Sequence, residues 1–240
     1  MDFDFTHNEE AFREEVRAFI AENLPPESER GPDFQAQWDA KLVDKKWLGF
    51  AFPEEEGGGG GTLVQQFILK EEMSRAEAPP LGRDFMGLTW VAPALIRHGT
   101  EDQKRRFVPD LLNARSYWCT GLSEPDVGSD LASVRTRAVR DGDDYVINGS
   151  KIWTSYAHEA DWIYMLVCTN PEAESRYKGT SCMLVPMDAE GIEVRPIINI
   201  AGVHHFNQVF FTDVRVCLLY TSPSPRDPLR YLVCRLLLEK

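Results

Sequence analysis

The most constraining feature of this 240-residue sequence is a change of hydrophobic period near residue 117. Before it, apolar residues recur at helical spacing; beyond it, apolar and polar residues alternate. Such a chain builds a helical unit first and a sheet second, because the two periods present their apolar faces differently.

In the first half, Thr6-His7-Asn8-Glu9 is a capping box opening an amphipathic helix, with Phe12, Val16, Phe19 and Ile20 on one face and Pro25-Pro26 as its stop. A second helix is expected from about Asp33 to Leu48, with Trp38 and Leu42 inward and Gly49 ending it. Thr62-Leu63-Val64-Gln65 and Thr100-Glu101-Asp102-Gln103 are further capping boxes, and between the helices they open lies a nearly all-apolar helix from about Met86 to Arg97. The run Gly57 to Gly61 lacks the Lys-Ser or Lys-Thr of a phosphate loop and follows no strand pattern, so it reads as a mobile loop.

In the second half, Asp141-Gly142 between β-rich runs is a hairpin signal, and Asn148-Gly149 marks another turn or a bulge. Further strands are expected at Lys151 to Ser155, Trp162 to Thr169, Ser181 to Pro186, Ile192 to Pro196 and Val209 to Val216, which suggests a barrel or a sandwich.

Charge and composition narrow the partners. The net charge is −12 with no block of Lys and Arg, so a nucleic-acid partner has no electrostatic footing. The longest apolar stretch, Trp162 to Cys168, falls far short of the roughly 18 residues of a membrane helix. The start lacks a secretory pattern, and the five cysteines are widely spaced with no Cys-x-x-Cys, which fits a cytoplasmic location without disulfides or a zinc site. His204 and His205 are adjacent on a strand and point to opposite faces, so no metal site is expected.

At the junction, residues 119–130 crowd Ser123, Pro125, Gly128 and Ser129 together. A flavin needs several donors close to its polar edge, and Gly128 with the Ser123 and Ser129 hydroxyls offers them. Ordinary turns share this composition, so on the residues alone both readings stand. Trp153 is likewise a core or cross-strand residue on its own.

Leu122-Ser123-Glu124-Pro125, Gly128-Ser129-Asp130, Lys151-Ile152-Trp153 and Phe210-Phe211-Thr212-Asp213-Val214-Arg215-Val216, in this order, resemble the acyl-CoA dehydrogenase family over residues 1 to about 216. The resemblance implies an α+β multidomain chain: an N-terminal all-α helical domain (1–116), an all-β barrel domain (117–216), and no C-terminal helical bundle. It implies FAD as cofactor, with Thr120, Leu122 and Ser123 along the pyrimidine edge of the ring and Gly128 and Ser129 nearby. Ser129 faces the acyl-CoA, Trp153 covers one face of the ring, and Ser155 lies near the hydride-accepting nitrogen. Glu124 matches a position that serves structure. The implied reaction is α,β-dehydrogenation of an acyl-CoA thioester to trans-2-enoyl-CoA, with an electron-transfer flavoprotein as acceptor and a homo-oligomer as the family assembly; an oxidase stays open.

Residues 217–240 depart from the family and resemble translated sequencing-adapter DNA. A truncated chain is therefore expected, without the catalytic glutamate of the missing bundle and with no catalytic residue of its own. The alternative is a non-catalytic flavin- or acyl-CoA-binding fragment, or a subunit that needs a partner.

Overall fold

The computed structural model describes residues 4–81 and 85–217, which fall into two compact units: Met1–Leu88 with Val108–Arg115, and Thr89–Phe107 with Ser116–Lys240. Among the described residues no helix is long and apolar enough to cross a membrane.

Unit one is built on α1 (His7–Asn23), α2 (Phe34–Asp44) and α3 (Leu63–Arg75). Both expected capping boxes form, at Thr6/Glu9 and at Thr62/Gln65. The inward face of α1 meets an aromatic cluster: the Phe19 ring lies 5.4 Å from Trp38 and 4.9 Å from Trp47. Arg13, 6% exposed, points the same way and must be paired. Its Nη1 lies 2.6 Å from Glu71 on α3 and also pairs with Glu72, which Arg17 Nε meets at 2.9 Å. This charge cluster joins α1 to α3.

Two expectations change in this unit. The second helix stops at Asp44 instead of near Leu48: Lys46 turns left-handed (φ 56°), and the Trp47 N–H donates to Leu42 O at 2.8 Å, which tucks the Trp47 ring into the core. The glycine run is a compact turn and not a mobile loop. The amides of Gly57 to Gly61 donate to the carbonyls of Glu54, Pro53, Gly49, Phe52 and Phe50 in that order, at 2.7–3.1 Å. With every amide turned inward, none is left to cradle an anion.

The apolar segment expected as one helix is helical without a gap from Phe85 to His98, with a π-helical turn at Gly87–Val91 that runs directly into α4 (Ala92–His98). A proline cannot donate within a helix, and the π turn just before Pro93 widens the backbone where that hydrogen bond is missing. The capping box of α5 (Glu101–Leu112) forms, with Thr100 N to Gln103 Oε1 at 3.0 Å and Gln103 N to Thr100 Oγ1 at 3.2 Å.

Unit two holds one seven-stranded sheet that curls into a half-barrel, so the chain has the expected helical domain followed by a β domain. The strands are β1 (Trp118–Gly121), β2 (Arg137–Asp141), β3 (Asp144–Ser155), β4 (Trp162–Cys168), β5 (Thr180–Pro186), β6 (Ile192–Ile198) and β7 (His204–Cys217), in the order β1-β4-β2-β3-β7-β6 with β5 on β4. The hairpin at Asp141-Gly142 forms, with Gly142 at φ 65°. Inward residues including Ile147, Ile163, Met165, Met183, Val185, Val209 and Phe211 fill the core.

Two bulges bend the long β3–β7 pair. At the first, Asn148-Gly149 stays inside β3 and the extra residue lies on β7, where Asp213 turns left-handed (φ 52°) and its N–H and carboxylate both bond the Asn148 amide at 3.0 Å. At the second, between the pairs Lys151/Val209 and Thr154/Asn207, β3 carries the extra residue. Cys217, expected at the start of the foreign tail, closes β7 opposite Asp144, while the remainder of that tail, including Cys234, lies outside the described residues.

The glycine turn gives a direct test. A Cβ on Gly58 would sit 2.2 Å from Phe52 O, so Gly58→Ala should destabilise by roughly 1–3 kcal/mol in denaturant melts. An unchanged midpoint would contradict the compact turn.

Candidate functional site

The junction loop is held by charge. Lys151 occupies an inward position of β3 and is fully buried, and its Nζ lies 2.7 Å from Glu124 Oε1. The same carboxylate accepts from the Arg135 N–H at 2.6 Å and the Thr136 N–H at 2.9 Å. Glu124 N–H donates to Val127 O at 2.8 Å and Val127 N–H returns to Glu124 O at 3.0 Å, which pinches residues 124–127 into a tight turn. Burial pushes the Glu124 carboxyl up, but the Lys151 charge and these hydrogen bonds outweigh it, so it ionises below the usual carboxylate range. Gly121 fits the same arrangement: a Cβ there would lie 3.1 Å from Lys151 Cγ and 2.8 Å from Ile163 Cδ1.

This pair sets where the expected site residues sit. Thr120 is the last residue but one of β1 and is half-buried, as are Leu122 and Ser123 beyond the strand. Ile152 N–H donates to Ser123 O at 3.0 Å, so the loop docks on β3 immediately before Trp153. Trp153 is the left-handed residue of the second bulge (φ 60°), is 58% exposed, and meets Phe206 edge-on at 6.0 Å between ring centres. A tryptophan with positive φ is a genuine outlier, and bulges of this kind re-aim a side chain. Ser155 follows at the end of β3, half-buried and paired with Phe206. Neither the Ser123 nor the Ser155 hydroxyl makes a hydrogen bond among the described residues. Gly128 and Ser129 are exposed on the return of the loop, and a Cβ on Gly128 would meet nothing within 4 Å. Lys151 Nζ also lies 3.4 Å from Leu122 O, so hydrogen bonds to Lys151 and Ile152 bring Leu122 and Ser123 beside Trp153, with Thr120 and Ser155 two residues away in sequence; among the described residues none ties Gly128 or Ser129 to the bulge.

A cavity of about 540 Å³ in the same unit is lined by other residues, among them His158, Trp162, Met187, His204 and Asn207, and by none of the seven expected ones. The buried roles of Lys151 and Asn207 are not carried by any sequence motif. Both left a signal, since each is a polar residue in register with the buried Tyr145-Ile147 or Val209-Phe211 alternation and so had to find a partner inside.

Glu124→Gln, which leaves the Lys151 charge buried and unpaired, should cost about 3–5 kcal/mol of stability. The double change Glu124→Leu with Lys151→Met should lose less than Glu124→Gln alone. Because the folded-state pKa of Glu124 is lowered, its contribution is fully present above the unfolded value of roughly 4.3 and fades as pH falls through the lower folded one. Acid melts of Glu124→Gln should accordingly flatten below about pH 4 relative to the parent.

The family description "Acyl-CoA dehydrogenase, N-terminal domain" matches residues 6–115, and "Acyl-CoA dehydrogenase, middle domain" matches residues 119–214. The acyl-CoA dehydrogenase IpdE1 of Mycobacterium tuberculosis is 37% identical over 243 residues, covering 96% of this chain and 63% of its own length. The crystal structure of the ChsE4–ChsE5 complex from Mycobacterium tuberculosis superposes with a TM-score of 0.84 at 34% identity, over 99% of this chain and 61% of that one. The Tcur3481–Tcur3483 steroid acyl-CoA dehydrogenase gives 0.79 at 36% identity, over 93% of this chain and 59% of that one. This chain spans about three fifths of such relatives. By its two matching domains and its fold, the chain belongs to the acyl-CoA dehydrogenase family of oxidoreductases.

Proposed function

We propose that this chain supplies one wall of an FAD site for α,β-dehydrogenation of an acyl-CoA thioester to trans-2-enoyl-CoA. Acyl-CoA dehydrogenases generally bind FAD, and its ring supplies the hydride acceptor when bound. The observation that carries the reading is Trp153: nothing inside the chain requires a large aromatic ring to stand exposed in a left-handed backbone conformation, whereas covering a flat ligand does. The free hydroxyls of Ser155, two residues on, and of Ser123, whose carbonyl accepts from the Ile152 N–H, offer donors to the polar edge of the ring. In this reading Thr120 and Leu122 contribute along the same edge, Gly128 leaves room for close approach, and Ser129 faces the thioester.

Glu124 is not the base. Lys151 and two backbone amides occupy its oxygens, and withdrawing it for proton transfer would leave Lys151 buried and alone. The carboxylate that removes the α-proton therefore comes from elsewhere, in a further segment or a partner chain. The second reading follows from this: residues 1–216 bind flavin and thioester without turning them over until that carboxylate arrives. One similar protein is described as a steroid acyl-CoA dehydrogenase, so a bulky steroid-derived thioester is the first substrate class to try, ahead of straight-chain acyl groups. An electron-transfer flavoprotein is the proposed acceptor, a like subunit the proposed oligomeric partner, and the cytoplasm the proposed location.

The chain mixed anaerobically with FAD should quench and shift the flavin signal, and an added acyl-CoA should leave the flavin unbleached. Bleaching would place the base within this chain; an unperturbed flavin spectrum would overturn the flavin reading itself. Trp153→Gly separates function from folding. Glycine accepts the left-handed backbone, so stability should stay within about 1 kcal/mol, while FAD affinity should fall roughly tenfold with the lost stacking.

A further inference from the structure

Behind the Trp153 bulge lies a buried polar knot that the flavin reading does not use. Asn207 is fully buried on β7, in register with Thr154 of β3. Its Nδ2 lies 3.0 Å from Thr154 O and 3.1 Å from His158 Nδ1, and its Oδ1 lies 2.7 Å from His204 Nε2. The two imidazoles stack with centres 3.7 Å apart.

The orientation of this knot follows from donor accounting. A backbone carbonyl only accepts, so the amide must turn Nδ2 toward Thr154 O. Oδ1 then faces His204, whose Nε2 must carry a proton. The second Nδ2 hydrogen needs a lone pair, so His158 Nδ1 is bare and its proton sits on Nε2, which faces Glu159 Oε1 at 3.4 Å. Three segments are thereby tied to one amide: the end of β3, the turn that follows it, and the start of β7.

We infer that Asn207 is a positioning residue for the flavin wall. By holding the Thr154 carbonyl it fixes the bulge that sets Trp153 on one side of Thr154 and Ser155 on the other, and His204 and His158 fix the amide itself. The extra residue of a bulge is unpaired in the ladder, and a left-handed tryptophan persists only where its surroundings over-determine it. The Thr154 hydroxyl is buried without a partner among the described residues, so the bond from Asn207 is the polar side-chain anchor at this position. This inference rests on the flavin reading for the purpose of the bulge, but its geometry is testable without flavin.

Asn207→Asp removes the donor to Thr154 with almost no change of shape, and His204→Phe keeps the stacked ring while removing the proton that Oδ1 accepts. In proton–nitrogen spectra of the flavin-free chain, with the Trp153 indole assigned through Trp153→Phe, Asn207→Asp should shift and broaden that resonance and leave those of Trp118 and Trp162 in place. His204→Phe should move it in the same direction by less, and His158 in the parent chain should carry its proton on Nε2. In FAD titrations Asn207→Asp should weaken binding roughly tenfold. An unmoved Trp153 indole in a folded Asn207→Asp chain, or a proton on His158 Nδ1, would overturn the inference. If Asn207→Asp does not fold, His204→Phe decides by the same shift. If the parent chain fails to bind FAD the flavin reading falls, while the indole and tautomer results still decide whether Asn207 positions the bulge.

Discussion

A lysine and a glutamate buried against one another hold the β unit in its working shape. Taking both charges out of water is costly, and the pair persists because the carboxylate also accepts from the Arg135 and Thr136 amides. Removing any member leaves the others exposed to that penalty. The loop at 122–128 is therefore fastened chiefly from beneath, with one exposed ion pair, Asp126–Arg135, on its outer side, and its Ser123 hydroxyl stays uncommitted.

The sheet supplies the second half of the arrangement. β3 carries Lys151 inward and, two positions on, throws Trp153 outward, which a regular strand would not allow because residues two apart share a face. The bulge between Lys151 and Thr154 breaks that parity. A left-handed non-glycine residue costs on the order of 1–3 kcal/mol, an expense the surrounding contacts offset. Preorganisation is the gain: a ring that already stands clear of the core loses little freedom when a flat ligand covers it.

How much of this was legible in the sequence depends on the kind of signal. The capping boxes at Thr6, Thr62 and Thr100 all formed because the reciprocal bonds need only residues three apart. The Asp141-Gly142 hairpin was visible for the same local reason. Tertiary effects were not: Trp47 ended α2 early because its ring belongs in the core, and the glycine run closed on carbonyls of residues 49–54 that its composition does not reveal. The apolar stretch was legible as a helix, but the π turn ahead of Pro93 was not. Of the site, the loop motifs stood out by residue type and the burial of Lys151 and Asn207 followed from unbroken strand parity, but their partners lie far away in sequence, and the outward turn of Trp153 depends on a bulge that reverses parity without announcing itself in the sequence.

If Glu124 and Lys151 lock the junction, the loop and the bulged strand form one cooperative unit. Native-state hydrogen exchange of the Val127, Arg135, Thr136 and Ile152 amides tests it most directly. All four should open with a common free energy in the parent chain, and Glu124→Gln should lower that value together at all four while amides on the β4–β5 pair keep theirs. Four unrelated opening energies in the parent, or a change confined to Arg135 and Thr136, would contradict the account.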